Sequence, residues 1–444
     1  MALVANVRLA VRAVRTKLRL LSAYDTFWPA ALRGGRLLLR GRVGTFTRKL
    51  FNELPDARDA EPVEARRTGP PLFLAGHVLG LGGYDHLVLN VLRGLTESGV
   101  NVCRDRRACF RKQLVPVDLR PTERTRERGH PRIAVAPPHL LARYRPDART
   151  AAYTMWETDT LPPGSVEQLN RCGLVIVPSR WGASCFRANG VTAPMEIVPL
   201  GYDPKVFWRT PDTIPEVWRT PDASPGVMSL DANTPGLASG VHPVVFGTAG
   251  ALDEGGLRKN VQRVVELFRA AFPGDPGVRL RVKITPNSPR VETHGDPRVE
   301  VIDGHLSPAA LADWYRSLDA FVNASAGEGF GLHLLEAMAC GVPLISSTFG
   351  GVGAFFDGRV GYEVRFRPVG AWNAVYRGTW SEPDGDDIVR HMRRVARHRA
   401  EAGEFGAAAA ARAARYRWED TTRKLVIALI RNGFIGRSLT RPRS

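Results

Sequence analysis

The sequence predicts an α/β protein of two similar domains with parallel sheets, which face one another across a cleft. Three observations predict it. Short apolar runs alternate with helix-period stretches in one series from about residue 71 and again in a second from about 243. A Pro/Gly-rich stretch separates the two series. Each connection within a series is short, as βα units prefer. A length of 444 residues gives room for two or three domains with large cores, and 44% hydrophobic and 24% charged residues are ordinary for a globular chain.

Residues 1–70 precede the first series. MALVANVRLAVRAVRTKLRLLS repeats Val4, Val7, Val11, Val14, Leu18 and Leu21 at spacings of three and four. Arg8, Arg12, Arg15 and Arg19 keep the same rhythm on another face. This predicts a basic amphipathic helix. It fits an anchor on an anionic lipid surface; a helix docked on its own domain or an Arg-rich targeting segment fits the same pattern. Residues 51–70 are polar and Pro-rich and predict a linker.

The first domain is expected over 71–205. PLFLAGHVLGLGGYDHLVLNVLRGLTESGVNV gives a strand, a glycine loop, a helix through Leu87, Leu89, Val91, Leu92 and Leu95, a stop at Gly99 and a second strand. Further strands are expected at 132–136, 151–155, 173–178 and 195–200, with helices at 163–171 and 180–189. In the linker at 206–242, VFWRTPDTIP is followed by EVWRTPDASP. Two copies are too few for a repeat architecture, so this is a duplicated loop.

The second domain is expected over 243–410. Its strands are PVVFGTAGAL, VRLRVKIT, RVEVIDG, DAFVNAS and VPLISS, with helices at 258–272 and in SPAALADWYRSL. A final helix, AARYRWEDTTRKLVIALIRNGF, opens the 411–444 segment, which ends in a basic tail.

Charge is concentrated at the ends. Residues 1–50 carry net +10 and 411–444 net +7 of a total of +18. A nearly neutral body argues against a nucleic-acid reader, which would present cations on a folded face, and leaves that reading a weak third alternative. Basic ends suit an anionic surface. Arginine outnumbers lysine 55 to 7 across the whole chain, a compositional bias. Five cysteines without metal spacing fit a reduced cytoplasmic compartment, and no apolar run is long enough to span a bilayer. A cytoplasmic protein is therefore the expectation, and peripheral attachment to the inner face of a membrane is one of the readings its basic ends leave open.

The chemistry concentrates in GEGFGLHLLEAMACG, residues 327–341. A strand at 319–325 runs into a glycine loop, and a helix follows from about Leu332 to Cys340. A helix start attracts phosphate through unpaired N–H groups and its dipole. Glu328 in that loop would repel a bare phosphate, so it argues for a ligand with hydroxyls beside the phosphate. Glu336 lies about one and a half turns into the helix. Carboxylates flanking a phosphate-binding helix start suit a nucleotide sugar, with the hexose on one side of the diphosphate and the ribose on the other.

EGFGLHLLEAMACGVPLI, with Glu328 and Glu336 eight apart, resembles the hallmark of the family 4 retaining glycosyltransferases, which have the GT-B fold of two Rossmann-like domains. The resemblance covers about 71–430. It implies that Glu328 contacts the transferred sugar, Glu336 holds the ribose, and the backbone of Gly329, Phe330, Gly331 and Leu332 meets sugar and diphosphate. GTAGALDEGGLRKN places Arg258 and Lys259 where the family neutralises the diphosphate. Lys259 and Lys283 are the only lysines in 206–423, which suggests that Lys259 is kept for its compact charge. YTMWETDTLPPGSVEQLNRCGLVIVPSRWGASCFRANGV and EIVPLGYDPKVF resemble first-domain segments and imply that Glu157, Ser179 and Arg180 lie near the cleft. GLGGYD resembles the family's first glycine loop, so Gly82 and Gly83 are expected to approach donor or acceptor. RYRWEDTTRKL resembles the helix that crosses back to the first domain, which would bring both basic ends to one side.

The chain departs from the pattern in three places. Ala251 stands where many members have arginine, with Arg258 close enough in sequence to take over its charge. Trp156-Glu157 replaces a common first-domain histidine. His333 replaces a common proline and reads as a helix-start residue rather than a catalyst. The resemblance implies transfer of a hexose-type sugar from a nucleoside-diphosphate sugar to a glycan, lipid or small-molecule acceptor, with retention, as in polysaccharide biosynthesis. No cofactor is implied beyond the donor, and the basic pair together with the lack of an Asp-x-Asp motif argues against a metal. A phosphorylase or epimerase on the same architecture, and a non-catalytic sugar-nucleotide or glycan-binding subunit, remain open alternatives.

Overall fold

The computed structural model describes residues 70–436, apart from 80–81, 111–113, 117–118, 122, 128, 210–241, 252–257, 286–289 and 372–374. The expected N-terminal basic helix, the 206–242 linker and its duplicated loop apart from 206–209 and 242, and the basic tail beyond 436 lie outside these residues.

The first sheet is built from β1 (Leu72–Ala75), α1 (Gly83–Glu97) after the short β2 (His77–Val78), β3 (Val102–Asp105), β4 (Cys109–Phe110), β5 (Glu123–Arg124), β6 (Arg132–Val135), β7 (Thr150–Tyr153), α2 (Ser165–Asn170), β8 (Leu174–Val177), α3 (Arg180–Ala188) and β9 (Met195–Ile197). Seven strands pair in parallel in the order β5-β3-β1-β6-β7-β8-β9, and β2 pairs with β4 apart from them. The central strands are buried along their whole length, and apolar apart from Arg132 and Thr150 at the starts of β6 and β7, as a parallel sheet covered by helices requires.

The second sheet follows with β10 (Val244–Gly250), α4 (Val261–Ala271), β11 (Val278–Ile284), β12 (Val299–Asp303), α5 (Pro308–Arg316), β13 (Ala320–Asn323), α6 (Leu332–Ala339), β14 (Leu344–Ser346) and β15 (Gly361–Glu363). All six strands are parallel, in the order β12-β11-β10-β13-β14-β15. The order reverses between β10 and β13, and ligands of such sheets sit at the carboxyl ends of the strands beside that reversal.

Beyond β15 the chain forms an antiparallel hairpin, β16 (Phe366–Gly370) and β17 (Thr379–Pro383), then α7 (Gly385–Arg397), α8 (Arg399–Ala413) and α9 (Trp418–Arg431). Sequence patterning gives no sign of the hairpin. Strand β16 contains Pro368 and is largely exposed, so it lacks the alternation that marks a strand. The expected 258–272 helix begins at Val261, because Arg258-Lys259 form a turn and Asn260 is left-handed at φ 48°. The expected tail helix starts late, at Trp418, and Ala413 instead ends α8.

Helix α9 returns to the first sheet. It packs on α1, where Thr422 lies against Gly94. The Thr421 hydroxyl donates to Pro199 O at 2.9 Å, and Arg431 pairs with Glu196 at 3.0 Å. Where it enters, Tyr202 and Arg417 form a bridge, with Tyr202 N donating to Tyr416 O at 3.0 Å and Trp418 N to Tyr202 O at 3.2 Å. A Cβ at Gly94 would fall on the Thr422 side chain. Alanine gains about 1 kcal/mol of helix propensity over glycine, but overpacking costs about 1–3 kcal/mol. Gly94→Ala is therefore expected to lower Tm by a few degrees, and Thr422→Ala in the same chain to restore most of it.

A continuous apolar cluster joins the halves. It runs from Leu72, Leu87 and Ile133 through Met155 to Phe330, Leu334 and Phe355. A second fills the α4/α7 side of the later sheet around Phe246, Phe268 and Ile388. A third joins Trp156 and Phe186 of the first half to Tyr376 and Trp380 on and beside the hairpin.

Candidate active site in the interdomain crevice

The reversal point between β10 and β13 is where the charged residues meet. After β10, the turn at 258–260 folds against the loop after β13. Ala326 N donates to Arg258 O at 2.7 Å, and Asn260 Nδ2 to Ala324 O at 3.1 Å. Gly250 leaves room for the Lys259 stem, since a Cβ there would approach Lys259 Cβ to 2.9 Å. The Lys259 ammonium then donates to Glu328 Oε1 at 2.6 Å, and the Arg258 guanidinium lies 4.0 Å from Glu328 Oε2. Arg258 also donates to Gly327 O at 3.2 Å.

Glu328 is 6% exposed. Burial alone would raise its pKa, but Lys259 and Arg258 outweigh that and hold it at about 2. Lys259 is pulled down by burial and pulled back by Glu328. His333, the second residue of α6, is driven to about 3 by burial and by Lys259. It is a neutral imidazole, packed edge-on to Phe321 at 5.9 Å.

Helix α6 is preceded by Gly331 as its cap, left-handed at φ 91°, and carries Glu336 in its second turn. Glu336 is 8% exposed and its pKa is pushed up to about 8 by burial, with the Tyr315 hydroxyl 3.4 Å from Oε2 offsetting part of the shift. The two acids therefore differ in kind: Glu328 is an ion held by a cation, and Glu336 is a buried carboxyl with one weak partner.

The loop glycines have a use that the sequence reading did not foresee. A Cβ at Gly327 would fall on Glu157 O, and one at Gly329 would come within 2.8 Å of Met155. Gly350 and Gly351, in the 3-10 turn Gly350–Ala354, face Glu328 O and the Gly329–Phe330 backbone as closely. Gly351 N donates to Glu328 O at 2.8 Å. The loop is thus wedged between the first half of the chain and this turn, and its glycines serve that close approach. Phe330 points inward onto Phe355 at 5.1 Å, while Leu332 is half-buried.

On the facing side, Glu157 follows β7 and reaches the same cluster. Burial raises its pKa, opposed by Arg258 and Lys259, and the Tyr376 hydroxyl donates to its carboxylate. Gly82 and Gly83 start α1, next to Tyr84, whose hydroxyl donates to Met155 O at 2.8 Å. The Gly82 amide is engaged by Asp85 Oδ2 at 3.0 Å, whereas a Cβ on Gly83 would meet open space. Ser179 caps α3, its hydroxyl accepting from Gly182 N at 3.0 Å, and Arg180 is exposed. The structure brings Arg258, Lys259, Glu328 and Glu157 into one cluster and gives Ser179 a local capping role.

Sequence reasoning missed Tyr315, Tyr376, His77 and His86. The last two are lowered by burial and raised in part by Asp85 between them. A His-x8-His pair around the GLGGYD loop was the only available signal, and its spacing has no helical or metal meaning. Among the described residues no group of three His, Cys, Asp or Glu is placed to hold a metal ion, and no helix is long and apolar enough to cross a membrane.

Two doubly wound parallel α/β sheets, closed by a returning helix, with a charged cluster at the strand-order reversal of the second, define the GT-B class of fold. Solved structures share it. Sucrose-phosphate synthase of Thermosynechococcus elongatus superposes with a TM-score of 0.59 at 18% identity, over 82% of this chain and 99% of that one. Anabaena HepE superposes with a TM-score of 0.56 at 14% identity, over 81% and 99%. Residues 243–374, which hold the second sheet and its charged cluster, match the glycosyl transferases group 1 family. A curated relative, the D-inositol 3-phosphate glycosyltransferase of Arthrobacter sp. (strain FB24), is 36% identical over 125 residues, 28% of this chain. The match spans about a quarter of that relative's length.

Proposed function

We propose that the chain is a retaining glycosyltransferase that moves a hexose-type sugar from a nucleoside-diphosphate sugar to a hydroxyl of an acceptor. The observation that carries this reading is the meeting of Lys259, Arg258 and Glu328 in front of α6, at the strand-order reversal of a group 1 domain, with Glu336 behind. The diphosphate would lie between the basic pair and the start of α6. The sugar would rest beside Glu328, and the ribose hydroxyls would donate to Glu336.

As the glycosidic bond breaks, positive charge develops on the sugar ring and negative charge on the departing diphosphate. Arg258 and Lys259 would stabilise the diphosphate in a partly dehydrated site, where fixed charges act strongly. Glu328 would face the oxocarbenium-like ring. A leaving diphosphate on the face where the acceptor hydroxyl attacks would accept that hydroxyl's proton, so the reaction needs no protein nucleophile and retains the anomeric configuration. Glu157 faces the cluster from the first half of the chain, where an acceptor would enter.

The first test is a thermal-shift panel of UDP, GDP, ADP, CDP and dTDP. At 100 times its Kd a ligand stabilises by about 2.7 kcal/mol, a rise of several degrees for the one or two matching nucleotides. No shift with any of the five would defeat the donor reading. The basic ends are proposed to hold the enzyme on an anionic membrane, with residues 1–50 contributing about 1 kcal/mol per cation near the surface. Deleting them should release the protein from phosphatidylserine-containing vesicles in a sedimentation assay; equal pelleting would refute the anchor.

A further inference from the structure

The β16–β17 hairpin leaves the second sheet and enters the first half of the chain. Thr160 and Arg377 form an antiparallel bridge, and Thr379 N donates to Asp159 Oδ1 at 2.7 Å. Ser381 returns to the active-site loop, with its amide and hydroxyl both donating to Ala326 O, at 2.8 and 3.0 Å. Trp380 lies against Gly327. The hairpin therefore touches both walls of the crevice within a few residues.

Tyr376 sits between these contacts. It is buried, its ring 4.7 Å from Trp156 and 5.2 Å from Trp380. The Arg258 guanidinium lies 5.8 Å over its ring face, and its hydroxyl donates to the Glu157 carboxylate. Arg258 comes from the second half and Glu157 from the first, and one side chain holds both. A guanidinium stacked on an aromatic face and tied to Gly327 O has little freedom left. Without the ring, Arg258 could turn away from the diphosphate position; without the hydroxyl, Glu157 would lose its hydrogen-bond donor and face the like charge of Glu328.

We infer that Tyr376 is a positioning residue that fixes Arg258 with its ring and Glu157 with its hydroxyl, so that the hairpin sets the geometry of the diphosphate site from across the crevice. This rests on the donor reading above for its consequence in binding, but not for the contacts themselves.

Two measurements test it. In the ligand-free protein, Tyr376→Phe, Glu157→Gln and the double variant are compared by thermal unfolding. Coupling through the hydroxyl predicts that the double variant loses clearly less Tm than the two single losses together. Additive losses would overturn the Glu157 half of the inference whether or not any nucleotide binds. Second, affinity is measured by calorimetry for whichever of the five nucleoside diphosphates stabilises the wild type. Tyr376→Leu is expected to weaken binding about tenfold, and Tyr376→Phe, which keeps the ring, to restore it to within about twofold. Ile388→Val, a core change in the α4/α7 cluster, serves as the control for lost stability and should bind as wild type. Equal affinity in the Leu and Phe variants would overturn the Arg258 half. If no nucleotide binds the wild type, the donor reading fails, and a cycle of Tyr376→Leu with Arg258→Ala, read by unfolding, decides that half instead: non-additive losses support it and additive losses refute it.

Discussion

Replacing Lys259 by alanine is expected to cut turnover about 10²–10³-fold, the usual loss when one preorganised charge-stabilising group is removed. The size follows from how little else can replace it. Lys259 is 2.6 Å from Glu328, while Arg258 is 4.0 Å away and shared with Gly327 O and the Tyr376 ring. Removing the ammonium would leave Glu328 buried with one distant cation. Breaking a buried pair on one side costs about 3–5 kcal/mol, so a fall in Tm should accompany the kinetic loss. The sign of the pH effect is fixed by the depressed Glu328 pKa. In the wild type this group contributes stability that is present above its ordinary pKa of 4.5 and is lost as pH falls toward about 2. In Lys259→Ala the folded pKa rises toward or past the ordinary value, so that acid limb should shrink or vanish. Steady-state kinetics with hexoses carried on the nucleoside diphosphate that the panel identifies, together with unfolding across pH 3–7, give both quantities. Wild-type turnover in a folded variant would rule out the assigned role.

The second large effect is at Glu336, and its sign is opposite. Its folded pKa of about 8 lies above its ordinary value of 4.5, so between those values the folded protein keeps a proton that the unfolded chain has released. Stability therefore falls as pH rises through that window, by about 1.4 kcal/mol per unit at most, and the penalty is complete above pH 8. Glu336→Gln removes the titration. The variant should match the wild type near pH 4 and exceed it by a few kcal/mol near pH 8.5, read from chemical unfolding at both. Donor affinity should behave differently. A ribose hydroxyl donates best to an ionised carboxylate, so wild-type affinity for the nucleoside diphosphate should rise with pH up to about 8. The Gln variant should bind at least tenfold more weakly, with a flat profile. Equal affinity and an unchanged profile would remove Glu336 from the ribose position.

How much of this could be read in the residues depends on whether the relevant contact is local. The strand-loop-helix around Glu328 and Glu336 was legible because period, glycine punctuation and helix spacing act within 15 residues. The inner strands of both sheets were legible because their apolar runs are short and punctuated, whereas the edge strands β5 and β15, two and three residues long, carry no such run. Helix α4 was misjudged by one turn because Arg258-Lys259 are good helix formers whose turn is set by Ala326 and Ala324, some 65 residues away. The hairpin escaped because what holds it is the Asp159–Thr160 edge of the other half. The partners of Glu336 and Glu157, Tyr315 and Tyr376, escaped for the same reason. The glycines of the loop were read as positions where a ligand meets the backbone; within the chain itself, what approaches Gly327 and Gly329 is Glu157 and Met155.

Helix α9 has a consequence for synthesis on the ribosome. It covers α1 at Gly94, yet its Thr422 is made more than 320 residues later. At roughly 5–20 residues per second, the early half waits on the order of 15–65 s with the Gly94 face of α1, which also carries Leu87 two turns earlier, lacking its final cover. Contacts so distant along the chain also form slowly once available. Nascent chains stalled before residue 418 should therefore bind holdase chaperones and resist proteases poorly, and release of the last helix should mark the step at which the early half becomes protected.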